Sequence, residues 1–289
     1  MLAPKFWYPE NNEKSFSSLA LVPFGHIYSL LSKLRMSKAV KKQFDIPIVC
    51  IGNLNAGGTG KTPTTISAAE FLKDRKYNVH IVSRGYGGTA MGPLSVNDKE
   101  HSADEVGDEA LMLSAFAPTW VTTKRSDGIQ SAIKEGADII LLDDGFQDPS
   151  VYKDLSILTV NAKKGFGNNR CIPAGPLREK LSSGLERADV LISIGTETSQ
   201  KTFKSIYKSY INMPLGIANL EVLNTGLSLE NMKVLAFAGI AHPENFFDTL
   251  RAQGAEIVDY QALADHQKLS SKIMKRLIVG ARAENAQLI

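Results

Sequence analysis

A glycine-rich turn between a strand pattern and a helix pattern is the feature that most constrains this chain. Residues 46–51 carry Ile46, Ile48, Val49, Cys50 and Ile51, a short apolar run that reads as a buried strand. Asn55, Ala56, Gly57, Gly58, Thr59, Gly60, Lys61 and Thr62 follow, and then a helical pattern through about residue 73. Glycines allow a tight loop whose consecutive N–H groups point at phosphate oxygens. In such a loop a lysine reaches the β and γ phosphates and the next hydroxyl ligates magnesium, roles that fall to Lys61 and Thr62. The helix starting there adds the positive end of its dipole. One departure stands out: Asn55 occupies the place of the first glycine of the usual pattern. A chance glycine-rich turn with a lysine is the bland alternative, and the strand before and helix after it argue against that.

The second constraint lies downstream. Ile139, Ile140, Leu141 and Leu142 form an apolar strand that delivers Asp143 and Asp144 at its C-terminal edge. Acids at that edge, beside a phosphate loop, are placed to hold magnesium directly or through water. Further apolar strand patterns at 79–83, 120–122, 155–160 and 190–194 alternate with helical segments, including 108–117 and 127–135. That alternation predicts an α/β fold, a P-loop NTPase parallel sheet covered by helices on both faces. From about residue 214 the pattern changes. Residues 216–222 read as an extended bridge, and 233–240, 243–253, 255–260 and 270–282 as a smaller α/β domain. Residues 286–289 look like the start of a strand, so this domain reads as truncated at its end. The expected organisation is an N-terminal segment (1–42), a kinase-like core (43–213) and the smaller domain (214–289).

Composition bounds the rest. The 289 residues are 43% apolar and 22% charged, with net charge +3, which gives no footing for a nucleic-acid partner. The two cysteines, Cys50 and Cys171, belong to no CxxC or His/Cys cluster and suggest a reducing setting. Near the N-terminus, Phe24, Ile27, Leu31 and Leu34 make an apolar stripe after Pro23, and Lys33, Arg35, Lys38, Lys41 and Lys42 follow. Pro23, Gly25 and His26 break the run, which is too short to cross a bilayer. The stripe fits either packing on its own domain or lying on an anionic membrane surface with lysines at the head groups.

A nucleotide switch is a rival reading. Guanine readers use Asn-Lys-x-Asp after a strand, whereas Asn161, Ala162, Lys163 and Lys164 stand here. ParA/MinD-like ATPases carry a lysine just before the paired glycines, where this chain has Ala56.

Several motifs in one order resemble the tetraacyldisaccharide 4'-kinase family of the lipid A pathway. They are Gly52, Asn53 and Leu54 leading into residues 57–63, Ser83 to Gly87, Val106 to Glu109, and Asp143 to Gln147. Residues 165–168, 173–179, 238–240 with 243–247, and Asp265 with His266 extend the match, and so do Phe6, Trp7 and Tyr8. The resemblance implies ATP and Mg2+ and a lipid acceptor, an acylated glucosamine disaccharide 1-phosphate, at the cytoplasmic face of the bacterial inner membrane. It makes Asp108 the catalytic carboxylate paired with His266 from the second domain, and favours the membrane role of the N-terminal helix. Glu109, Asp143, Asp144 and Gln147 become candidates for magnesium or water positioning, and Arg84 and Arg178 for phosphate contact. Two departures accompany the match: Asp148 stands where many relatives carry histidine, and the chain stops where relatives continue. A P-loop kinase of a soluble metabolite and a non-catalytic nucleotide-binding relative are the alternatives.

Overall fold

The computed structural model describes residues 3–9, 15–222, 228–239, 243–263 and 269–289, with the side chain of Asn245 outside that set. The chain divides into two compact units, residues 3–220 and residues 221–289.

The larger unit is built on an eight-stranded sheet. Its centre is β1 (Ile48–Gly52), flanked by β5 (Ile139–Asp143) and β6 (Leu155–Asn161). Outward from β5 lie β2 (Val79–Ser83), β4 (Thr119–Val121) and β3 (Leu94–Ser95); outward from β6 lie β7 (Val190–Ile194) and β8 (Leu215–Ala218). Every pairing is parallel except β3 with β4, at the edge. All residues of β2 and β5 are buried, as a sheet covered on both faces requires.

Among the described residues two α-helices precede the sheet, α1 (Phe16–Ala20) and α2 (Val22–Lys38), and the others of this unit cover it. These are α3 (Lys61–Asp74), α4 (Ala103–Val106), α5 (Asp108–Ser114), α6 (Arg125–Lys134), α7 (Leu181–Leu185) and α8 (Glu197–Tyr207). One apolar cluster joins Ile48, Cys50, Leu142, Leu158 and Leu191 to Phe166 and Phe203; another joins Ile81, Leu141 and Ala69.

The sequence stripe on α2 does not pack on the sheet. Phe24, Ile27 and Leu31 are 60%, 57% and 61% exposed, and the only buried residue of the helix is Gly25. A Cβ at Gly25 would lie 2.9 Å from the carbonyl oxygen of Cys171, so the helix approaches the 171–174 loop closely. Among the described residues no helix is long and apolar enough to cross a membrane.

β8 lies inside the segment expected to bridge the units. It pairs with β7 from Leu191 with Leu215 to Ile194 with Ala218, so the larger unit extends to Leu220. The smaller unit has a three-stranded parallel sheet: β9 (Lys233–Ala238) in the middle, β10 (Glu256–Ala262) and β11 (Gln287–Leu288) at its sides. Helices α9 (Pro243–Ala252) and α10 (Ser271–Ala283) pack on it through Phe247 and Leu250, and through Leu277 and Ala281. The terminal residues thus do form a strand, paired with β9. Ser270 caps α10 by accepting the Ile273 N–H at 3.3 Å.

Candidate active site

The phosphate loop leaves β1 at Gly52 and enters α3 at Lys61, with Gly57 and Gly60 in left-handed conformations (φ 111° and 89°). The backbone at Gly60 favours glycine, and a Cβ there would lie 2.4 Å from Ile194 Cδ1, which would have to shift. Buried polar side chains fix the loop from beneath. Asn53 Nδ2 donates to the Gly57 carbonyl at 3.1 Å and to Thr59 Oγ1 at 2.9 Å, and Thr59 Oγ1 lies 2.9 Å from Thr159 Oγ1 on β6. The anomalous Asn55 is 2% exposed; its Nδ2 donates to the Gly165 carbonyl at 3.1 Å and to the Tyr8 hydroxyl at 3.3 Å. Its side chain therefore ties the loop to the 165–178 segment and the N-terminus, while its neighbour Ala56 donates its N–H to the Pro176 carbonyl at 2.7 Å.

A cavity of about 370 Å³ opens at the C-terminal edge of β2 and β5. Arg84, Glu109, Asp143, Asp144, Gln147 and Arg178, all singled out in the sequence, line it. Lys61 Nζ lies 3.8 Å from Asp144 Oδ1, and Arg178 Nη1 donates to both oxygens of Asp144 at 2.8 and 2.9 Å. Burial pushes the Asp144 carboxyl upward, but Lys61 and Arg178 outweigh it and hold its pKa below the usual range. Asp143 is the opposite case: burial, then the nearby charge of Glu109, raise it to about 6. Ser83 donates to Asp143 Oδ2 at 3.2 Å, whereas Asp143 Oδ1 is buried without a hydrogen-bond partner.

Gln147 is a brace. Its Nε2 donates to the Asn53 carbonyl at 2.8 Å and to Glu179 Oε1 at 3.1 Å, and Arg187 Nη2 donates to both oxygens of Glu179 at 2.7 and 2.6 Å. Asp108 is exposed at the first position of α5, immediately before Glu109. His266 and its neighbour Asp265 lie outside the described residues.

A phosphate loop whose lysine approaches Asp144, an acid that lines a cavity together with Arg84 and Arg178, is an arrangement for neutralising phosphoryl charge. The family profile of tetraacyldisaccharide-1-P 4'-kinase, LpxK, matches residues 17–289. The chain belongs to the tetraacyldisaccharide 4'-kinase family. A protein of Jannaschia sp. named tetraacyldisaccharide 4'-kinase is 48% identical over all of this chain and 87% of its own length. One of the same name from Dinoroseobacter shibae is 44% identical over all of this chain and 86% of its own length. A crystal structure of LpxK from Aquifex aeolicus in complex with ATP superposes with a TM-score of 0.69 at 25% identity. That match covers 89% of this chain and 84% of that one. The chain is accordingly a kinase, with the α/β P-loop fold expected from its sequence.

The residues present fit a magnesium ion. Asp143 Oδ1 is an orphaned buried oxygen, and Glu109 raises the cost of leaving Asp143 ionised without a cation. Among the described residues no group of three or more His, Cys, Asp or Glu could hold a metal by itself. Magnesium takes one or two carboxylates and completes its shell with phosphate and water.

Arg125 and Asp148 are site residues that the sequence reading of this kinase did not single out for chemistry. Arg125 Nη1 donates to Asp148 Oδ2 at 2.8 Å, and both line the cavity. Tyr28, Ser32 and Arg35 of α2 also line it, and Arg35 Nη2 donates to the Gln147 carbonyl at 2.7 Å.

Proposed function

We propose that this kinase transfers the γ-phosphate of ATP to the 4'-hydroxyl of tetraacyldisaccharide 1-phosphate, giving lipid IVA, at the cytoplasmic face of the inner membrane. The observation that carries the reading is the convergence of Lys61 and Arg178 on Asp144, in a chain whose relatives are named for this reaction.

Backbone N–H groups of residues 57–61 receive the phosphates, with Lys61 leaving Asp144 for the β and γ oxygens. Thr62, Asp143, Asp144 and Glu109 would hold magnesium, which when bound neutralises charge on the triphosphate. Arg84 contacts phosphate of ATP or of the lipid, and Arg178 keeps Asp144 ionised beside it. Asp108 accepts the proton of the 4'-hydroxyl; the new bond joins O4' to Pγ, and ADP leaves with the bridging oxygen. The exposed apolar face of α2 seats the protein on an anionic lipid surface, which favours a lipid acceptor over a soluble metabolite.

The test is incubation with radiolabelled ATP, Mg2+ and tetraacyldisaccharide 1-phosphate in detergent. Labelled lipid is expected, and its absence from a folded, ATP-binding sample would overturn the assignment.

A further inference from the structure

Arg125 begins α6 at the edge of the sheet, yet it is 3% exposed. A buried guanidinium needs acceptors close by, because desolvation of an unpaired charge is severe. Arg125 has them on two sides. Nη1 donates to Asp148 Oδ2 at 2.8 Å, and Nη2 donates to the Asp144 carbonyl at 2.8 Å and the Asp143 carbonyl at 3.3 Å. Asp148 is held in turn: its Oδ1 accepts the Ser150 N–H at 2.9 Å and the Ser150 hydroxyl at 2.6 Å.

The carbonyls that Arg125 grips belong to an unusual turn. Asp144 has φ 48°, in the left-handed region that residues with a Cβ rarely adopt. The turn decides where two carboxylates point. Asp144 must face Lys61 and Arg178, while Asp143 keeps one oxygen on Ser83 and leaves the other without a partner. Relaxation of φ at Asp144 would swing its side chain away from Lys61. The phosphoryl-transfer reading above assigns no step to Arg125 or Asp148.

We propose that Asp148 and Arg125 are positioning residues whose ion pair locks the left-handed turn at Asp144 and so aims Asp143 and Asp144 at the cation. The inference rests on the phosphoryl-transfer reading above. It assigns a role to Asp148, where the chain departs from the resemblance. Asp148 orients Arg125; Arg125 fixes the backbone; the backbone sets the acids.

The variants are Asp148→Ala, Asp148→Asn and Arg125→Lys. Binding of a fluorescent ATP analogue is titrated with and without Mg2+ in the absence of lipid, and kcat is measured with lipid. In Asp148→Ala the metal-free affinity stays within twofold of wild type, while the Mg2+ needed for half-maximal enhancement of binding rises about tenfold. Its kcat at saturating Mg2+ falls tenfold or more. Asp148→Asn, whose amide oxygen still accepts from Arg125, regains part of both. Arg125→Lys behaves like Asp148→Ala, because one ammonium cannot span the acceptors on both sides.

Equal loss of metal-free and Mg2+-dependent binding overturns the proposal, since a general structural defect weakens both alike. So does a folded Asp148→Ala protein with wild-type Mg2+ dependence. If Asp148→Ala does not fold, the other two variants decide by the same criteria. Should wild type phosphorylate no lipid, the function reading fails, while the Mg2+ titration still tests the pair.

Discussion

Replacing Ile27 and Leu31 together by serine tests the outward face of α2. The two side chains are 57% and 61% exposed, so that share of each would gain by entering the apolar part of a bilayer. Full burial of such a side chain stabilises by about 1.5–3 kcal/mol, which leaves roughly 1–2 kcal/mol for each exposed share. Loss of both should weaken partitioning by about 3 kcal/mol, on the order of 100-fold. Because neither side chain is buried in the protein, the thermal midpoint should hardly move. The assay is co-sedimentation with vesicles containing anionic phospholipid, at low salt and at high salt. Salt should weaken the part due to Lys33, Lys38, Lys41 and Lys42 in wild type and variant alike, because exposed charges are screened. The apolar part should persist at high salt in wild type alone. A double variant that partitions within threefold of wild type at high salt would refute the reasoning.

Three further outcomes follow from the geometry. Asp108→Ala should lower kcat by two orders of magnitude or more with little change in ATP affinity; a matching loss of both would remove it as the base. Gly60→Ala combines a left-handed backbone with a Cβ 2.4 Å from Ile194 Cδ1, and should cost at least tenfold in nucleotide affinity by equilibrium titration. His80 is buried and accepts the Trp120 indole N–H at 3.1 Å, and burial holds its pKa below the usual value against the pull of Glu135 and Asp138. The unfolded chain therefore binds a proton below about pH 6.5 that the folded chain refuses. Stability is full above that pH and declines as pH falls, and His80→Gln should flatten the decline in urea midpoint between pH 7.5 and 5.5.

What was legible in the sequence is what local pattern controls. The strands from Ile48, Val79, Ile139 and Val190 announce themselves as apolar runs, and the loop between β1 and α3 by its glycines. The acids of β5 follow because a strand end places them. Arg125 escaped notice because its meaning is tertiary: after the strand at Trp120 it reads as an exposed charge at a helix start. Its acceptors are carbonyls some twenty residues further along the chain. The antiparallel β3 is Leu94 and Ser95, too short to show a period. Leu215, Gly216, Ile217 and Ala218 form a run too weak to tell from an extended bridge over 216–222; only pairing with β7 makes β8 part of the main sheet. Asn55 looked like a flaw in the loop, and its bonds to Gly165 and Tyr8 come from segments far apart in sequence.

Helix α2 carries Phe24, Ile27 and Leu31 on one face and Tyr28, Ser32 and Arg35 on the adjoining one. The second face is a wall of the cavity, joined through Arg35 to the backbone of Gln147, whose side chain grips the exit of β1. A helix resting on lipid by its first face would thus set the height of the phosphate loop above the bilayer like the foot of a lathe. Such a machine works a hydroxyl that stands at one depth, whatever the length of the chains beneath it.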